Sequence, residues 1–546
     1  METGGAHVIT GEAPENVRLI GGEMLLWSDM SNMGGITDWR GTALELVGRL
    51  VPDSGRVLLV GPHPQVLVDD VVARAPSAAV LLRSYPDACA LGERHPGLAV
   101  FCGRLEVFAA EQPYDLVLAL DGLLRTHSAE APAAAWSESL AALAELVAPG
   151  GRLVLGVRND LGVDRFLEAR PADREGADDQ WAPHGFDPSY PSGPEALDRG
   201  LESAGLRVRR CYAAYPGRQA PRALLSREAL AAGLPDALAF PLSARGGDRM
   251  LVADPLRLTR LVFRHGLGEE LAPLWLAVAT AVPENGPGDD DDVELPLGLV
   301  EEGSALYELT GGGARRLPDG EELPIPAGRV VEEILVEACA REDVRTVREL
   351  LARLAEWLEA GGDVTAATDS LVYDGERFAA ISPAAGPSTP PGPKVVLCRI
   401  LWRFAVRLLA AGHHHPWPWP LEADQLALTL CGMADRPCDQ GDLDRARKLD
   451  VELGCPAEVA EHAPTYRDLL GARDRLADQL TAALARISRL ETKLSYRERE
   501  LVRAKAKLRR TQRKASAFRR TLGYRLSRRL ARPRRVARRV IRLLSG

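Results

Sequence analysis

Residues able to do chemistry are sparse and well separated in this chain of 546 residues. Asp121 closes the apolar run Tyr114–Leu120, and a carboxylate at the end of a buried strand faces whatever crevice the strand ends form. It could equally cap the helix that follows. His127 lies six residues further on, and His63 sits in the turn Gly61-Pro62-His63-Pro64-Gln65 after another apolar run. An imidazole at either place can polarise a bound group near neutral pH, or simply pack in a turn. Asp121 and His127 are the catalytic candidates. His413-His414-His415 invites a metal reading, but adjacent rings cannot all converge on one ion without a loop, and no carboxylate or thiol pair lies close by. A helix stop followed by a Trp/Pro packing loop is the expectation there. The eight cysteines, at 89, 102, 211, 339, 398, 431, 438 and 455, show no CxxC pair and no regular spacing. Most have apolar neighbours, which predicts buried free thiols and no metal site.

The elements that must position these residues follow from the hydrophobic pattern. Arg56–Gly61, Ala79–Leu82, Leu98–Cys102, Tyr114–Leu120 and Gly151–Gly156 read as short buried strands. Val66–Arg74, Ala88–Arg94 and Ala134–Val147 read as the helices between them. That alternation predicts an α/β fold with a doubly wound parallel sheet, whose ligand crevice lies where the strand order reverses. Pro194–Ala204 reads as a further helix and Leu206–Tyr212 as a further strand, after a polar stretch, Glu168–Pro194, expected to be a lid or surface insertion. The expected organisation is a lead-in over 1–41, the α/β domain over 42–283, and an acidic linker over 284–298 (ENGPGDDDDVE at its start). A smaller α+β domain over 299–465 follows, with a helical region over Gly328–Ala360 and an amphipathic helix over Val395–Ala411. A coiled coil over 466–522 and a basic amphipathic tail over 523–546 complete the chain.

The motifs RVLLVG, PYDLVLALDGLL and LVAPGGRLVLGV, in this order with a helix before the last, resemble those of class I S-adenosylmethionine-dependent methyltransferases. PSYPSGPEALDRGLESAGLRVRRCYAAYP and DRMLVADPLRLTRLVFRHGLGEELAPLWLAVATA resemble the close of that domain in methyltransferases found among cell-envelope polysaccharide genes, so the likeness covers residues 42–282. It implies a Rossmann-like methyltransferase fold, S-adenosylmethionine as cofactor, and a cell-envelope saccharide or related small molecule as acceptor. The cofactor site it implies falls on Gly61, His63, Arg83, Arg104, Leu105 and Asp121. Several of these depart from the family pattern. The turn keeps only its first glycine, Leu59 stands in place of an acid, Arg83 stands near the expected ribose carboxylate, and Arg104 stands where an adenine-binding acid is usual. A cation cannot accept a hydrogen bond, and each lost partner costs about 1–3 kcal/mol. Two functions therefore stand open: a SAM-dependent methyltransferase, and a non-catalytic methyltransferase-like scaffold or binding protein. Further on, the hairpin pattern around Ser370 and Ser382 faintly resembles the catalytic hairpin of aminoglycoside-phosphotransferase-like kinases. Hydroxyls stand there in place of the magnesium ligands, and no kinase is predicted.

Charge is divided sharply along the chain. Arg486–Gly546 holds 23 Lys/Arg against three acids, a local +20, and the rest must carry −28 to reach the overall −8. Leu476, Leu480, Ala483, Ile487, Leu490, Leu494, Leu501, Ala504, Leu508, Ala515, Phe518 and Leu522 follow one 4-3 repeat, broken only by Arg497 and Thr511. This predicts a coiled coil and a homo-oligomer. From Leu501 onward there are 18 Lys/Arg and no acid, interleaved beyond Gly523 with Leu526, Leu530, Val536, Val540, Ile541, Leu543 and Leu544. Apolar residues at helical spacing point to an anionic membrane surface or an envelope-synthesis partner rather than to nucleic acid, which would need only the charge. No apolar run is long enough to span a bilayer and no signal-peptide pattern opens the chain, so the expectation is a cytoplasmic protein, peripheral on the inner face of the membrane.

Overall fold

The computed structural model describes residues 13–30, 36–39, 41–128, 132, 134–167, 187–217, 220–232, 242, 255–282, 293–302, 305–311, 313–317, 322–323, 326–380, 391–410, 413–417, 421–453, 466–529, 531 and 538. These form two units, 1–465 and 466–546. Most of the stretch expected to be a lid, most of the acidic linker, Ser382, Cys455 and the tail residues Leu530, Val536, Val540, Ile541, Leu543 and Leu544 lie outside the described residues.

The first unit opens with β1 (Val17–Gly21), α1 (Thr42–Leu50), β2 (Arg56–Val60), α2 (Gln65–Arg74), β3 (Ser77–Leu82), α3 (Tyr85–Arg94), β4 (Ala99–Gly103) and β5 (Tyr114–Ala119). It continues with α4 (Trp136–Ala144), β6 (Val147–Arg158), α5 (Val163–Leu167), α6 (Pro194–Ser203), β7 (Leu206–Tyr215), β8 (Ala223–Ser226), α7 (Arg227–Ala231), α8 (Pro255–Arg264) and β9 (Leu274–Ala281). Then come β10 (Gly298–Glu302), β11 (Ala305–Thr310), β12 (Gly313–Leu317), β13 (Glu322–Leu323), β14 (Arg329–Val330), α9 (Val331–Ala340), α10 (Val344–Glu359), β15 (Leu371–Tyr373), β16 (Phe378–Ala380), α11 (Pro393–Ala410), α12 (Ala423–Met433) and α13 (Gln440–Glu452).

The central sheet has the order β1-β4-β3-β2-β5-β6-β9-β7-β8-β10-β11-β12-β13. From β1 to β6 every pairing is parallel, and from β6 onward every pairing is antiparallel. Alternation explains why the parallel strands read as unbroken apolar runs. In β2, Leu58 and Val60 enter the core on one face while Val57 and Leu59 enter the core on the other. Leu46, Val47 and Leu50 of α1 and Leu67 and Val71 of α2 cover the second face; Leu140 and Leu143 of α4 and Leu197 and Leu201 of α6 cover the first.

Two features lay beyond the pattern. Residues 1–41 read as a weakly patterned lead-in, yet Val17–Gly21 is an edge strand paired in parallel with β4. The four strands β10–β13, past the acidic run, continue the same sheet through the pairing of β10 with β8. Their short alternating segments carry little signal of which edge they join.

Helices α9–α13 pack with the β14-β15-β16 sheet around a separate apolar core containing Leu335, Leu351, Leu354, Phe404, Leu430 and Leu449. Buried ion pairs tie this layer together. Arg399 and Arg403 both reach Asp450, while Arg407 reaches Glu332 and Asp369. The second unit is α14 (Tyr466–Arg520), a single helix of 55 residues and therefore about 80 Å long.

Candidate functional site

The strand order reverses between β2 and β5, so a crevice at their carboxyl ends is the expected ligand position. Gly61 leaves β2 with φ 82°, a left-handed conformation that glycine adopts without strain. The turn folds His63 back into the gap, where it is buried. Its Nδ1 lies 2.9 Å from the Gly61 carbonyl and its Nε2 accepts from the Leu120 N–H at 3.3 Å, so one neutral tautomer bridges the ends of β2 and β5. Burial pushes its pKa down to about 4, with the Gly61 carbonyl and Asp121 opposing.

Asp121 is buried in the same crevice, and no helix follows closely enough for it to cap, since α4 begins at Trp136. Arg158 Nη2 donates to its Oδ1 at 3.1 Å, Arg125 Nε lies 3.4 Å from its Oδ2, and the Thr37 N–H and hydroxyl each reach Oδ1 at 3.4 Å. Burial pulls the Arg125 guanidinium below its ordinary value, with Asp121 opposing. Asp121 Oδ2, Arg158 Nε and Trp39 Nε1 are buried without a hydrogen-bond partner.

The remaining predicted site residues lie at the ends of β3 and β4, and the N-terminal segment engages them. Arg83 Nη2 and Nε grip both oxygens of the buried Asp29 at 2.6 and 2.9 Å, and its Nη1 donates to the His127 carbonyl at 3.0 Å. Met24 bonds across the end of β3, donating to the Arg83 carbonyl at 2.7 Å and accepting from the Tyr85 N–H. The Arg104 N–H donates to Gly21, and its side chain lies close against Gly22, so a Cβ at that glycine would stand 2.9 Å from Arg104 Cδ. The Leu105 N–H donates to the Thr126 carbonyl at 3.1 Å. The His127 ring engages Glu106 and Ser139.

The structure thus brings Gly61, His63 and Asp121 to one crevice, with Arg83, Arg104 and Leu105 along the neighbouring strand ends. Sequence reasoning missed Asp29, Thr37, Arg125 and Arg158. Arg158 was within reach, because it ends β6 as Asp121 follows β5; Asp29 and Thr37 lie in the segment read as a lead-in. Elsewhere, His414 pairs with Glu342, and the His415 ring lies 5.8 Å from that of Trp417. Ser370 closes the turn that leads into β15, accepting from the Ala367 N–H. The described cysteines are free thiols and most are buried, as expected, but Cys398, Cys431 and Cys438 have their sulfurs within 4.8 Å of one another.

These residues fit S-adenosylmethionine poorly. A ribose needs a carboxylate acceptor at the end of β3; of the carboxylates there, Asp29 has both oxygens on Arg83, and Asp87 is taken by the Ser28 hydroxyl and the Asp29 N–H. The Leu105 N–H beside an adenine position is already donated, and His63 fills the turn that would admit the methionine part.

No protein-family model and no curated protein matches the chain. Solved structures similar to it include methyltransferases and the [4+2]-cyclase SpnF. They include the CcbJ methyltransferase from Streptomyces caelestis, 14% identical over 47% of this chain and 93% of that one, with a TM-score of 0.28. The N-methyltransferase NodS from Bradyrhizobium japonicum WM9, in complex with S-adenosyl-L-homocysteine, is 11% identical over 46% and 94%, with a TM-score of 0.26. SAM-bound CalS10, an amino pentose methyltransferase from Micromonospora echinaspora, is 18% identical over 32% and 85%, with a TM-score of 0.22. Likenesses this low carry no argument about activity. The chain's own strand order states the fold: β4-β3-β2-β5-β6-β9-β7, with antiparallel β9 wedged between β6 and β7, is the order of the Rossmann-like class I methyltransferase fold.

Proposed function

We propose that this chain is a non-catalytic binding protein on a methyltransferase fold, its cofactor crevice closed from within, carried on a basic arm. The observation behind this reading is that the N-terminal segment spends its own groups on the crevice: Asp29 neutralises Arg83 and Thr37 binds Asp121. A polar site whose groups already pair with one another gains little by exchanging them for a ligand. Calorimetric titration with S-adenosylmethionine and S-adenosylhomocysteine tests it. No heat of binding is expected at millimolar cofactor, and micromolar binding of either would overturn the reading.

A second reading keeps the enzyme: SAM-dependent methyl transfer to a cell-envelope saccharide or related small molecule. It is favoured by Asp121 Oδ2, which has the Arg125 ion pair but no hydrogen bond, and by the buried Arg158 Nε, also without a hydrogen bond; a ligand in the crevice could satisfy both. Incubation with methyl-labelled cofactor and envelope fractions distinguishes the two, since transferred label supports only the enzyme.

In both readings the arm locates the protein. Exposed Ile487, Leu490, Leu494 and Leu508 on α14 support self-association through a coiled coil. The Lys/Arg-rich residues 501–546 support peripheral docking on an anionic membrane at its cytoplasmic face, each basic side chain near the surface contributing about 1 kcal/mol. Among the described residues no helix is long and apolar enough to cross a membrane. Co-sedimentation with phosphatidylserine vesicles should be lost on deleting 501–546; undiminished binding refutes the lipid role.

A further inference from the structure

Three helices that share no sequence motif converge on one cluster of sulfur. Cys398 lies in α11, Cys431 in α12, and Cys438 immediately before Asp439, the N-cap of α13. Local geometry returns the chain on itself here. Asp435 adopts a left-handed conformation, φ 55°, just past α12, and the Arg436 N–H bonds back to the Cys431 carbonyl at 3.0 Å. This αL turn ends the helix and redirects the chain, so Cys438 arrives beside Cys431. Cys398 and Cys431 are fully buried and Cys438 is half-buried.

We propose that Cys398, Cys431 and Cys438 form a site for a thiophilic divalent cation, with zinc as its most fitting occupant. All three sulfurs lie within 4.8 Å of one another. Sulfurs bound tetrahedrally at about 2.3 Å from a zinc ion stand about 3.8 Å apart, so small rotamer adjustments bring them to bonding distance. Three sulfur donors without an imidazole select zinc-like soft cations over magnesium or calcium. Three thiolates around Zn2+ leave −1, and the N-terminus of α13 supplies positive potential beside it, while the charge of Lys394 is offset by its pairing with Asp442. Lys394 Nζ is held at 2.8 Å from Asp442, four residues past Cys438. Asp442 is also taken by Arg445 and the Asp439 N–H, so the fourth position falls to water, on the half-buried Cys438 side. Binding releases the three thiol protons to solvent and forms three sulfur–metal bonds; nothing is oxidised. The ion would pin α11 and α12 to the start of α13, whose other end the Arg399–Asp450 and Arg403–Asp450 pairs already join to α11.

The test uses the full chain, purified under reducing conditions. Elemental analysis should find about one zinc per chain, and cobalt titration of the stripped protein should give a sulfur-to-cobalt charge-transfer band in the near ultraviolet. Cys438→Ser, at the half-buried position where folding is least at stake, should weaken zinc binding about 100-fold or more and remove that band. Cys89→Ser, in α3, should keep both. Absence of stoichiometric zinc with no cobalt–sulfur band overturns the site, as does unchanged affinity in Cys438→Ser. A disulfide between any two of the three thiols in the reduced preparation would also overturn it.

Discussion

Asp121 and His63 share a crevice but differ in what the fold asks of them. Asp121 is a buried carboxylate facing Arg158 and Arg125, and deleting one partner of such a group strands the others. Asp121→Ala should therefore lower unfolding stability by about 3–5 kcal/mol, read by urea denaturation. His63 must stay neutral to accept from the Leu120 N–H while its Nδ1 donates to Gly61. Its folded pKa, about 4, lies below its ordinary value of 6.5, so the unfolded chain takes up the proton first. The stability it contributes is complete above pH 6.5 and is lost as pH falls towards about 4, a swing of about 3 kcal/mol. His63→Leu should flatten that part of the stability–pH profile, measured by denaturation at a series of pH values.

Among elements, β6 joins the parallel and antiparallel halves of the sheet, and its Gly156 lies against the backbone at the end of β5. A Cβ at Gly156 would collide with the backbone carbonyl of Leu120, next to the crevice, and backbone cannot step aside as a side chain can. Gly156→Ala should cost at least about 1–3 kcal/mol and disturb the Asp121 contacts, visible as a lowered thermal midpoint and shifted amide resonances around residues 120–122. The strands β2 to β5 were legible because each is a buried parallel strand dominated by apolar residues, and β6 through its buried half, Leu153–Val157. β1 was not: VRLIG is exposed along much of its length and becomes a strand only because β4 offers it an edge.

On the scale of the whole molecule, the body and α14 are separate units with opposite charge. On the proposed coiled-coil reading, deleting residues 466–546 should leave the body's thermal midpoint unchanged while reducing the species seen by light scattering to a monomer. A Leu490→Lys, Leu494→Lys pair in the full chain should give the same loss of self-association without shortening the helix, because both side chains stand on the apolar seam and are exposed in the single chain.

What the sequence by itself determined is whatever depends on near neighbours. Strands β2–β6, the helices between them, the heptad helix and the basic arm all announce themselves through periodicity and charge, which are local quantities. Gly61, His63 and Asp121 could be placed at one crevice because strand ends are local too. Only the tertiary structure decided what those residues meet. Asp29 reaches Arg83 across 54 positions and Thr37 reaches Asp121 across 84, and no spacing rule links them. The same holds for Cys398, Cys431 and Cys438. Each looked like a solitary buried thiol along the chain, and the packing of three helices turned them into a cluster. Partnership between distant side chains is set by how elements stack, and that is fixed by the burial of the whole core rather than by any segment of it.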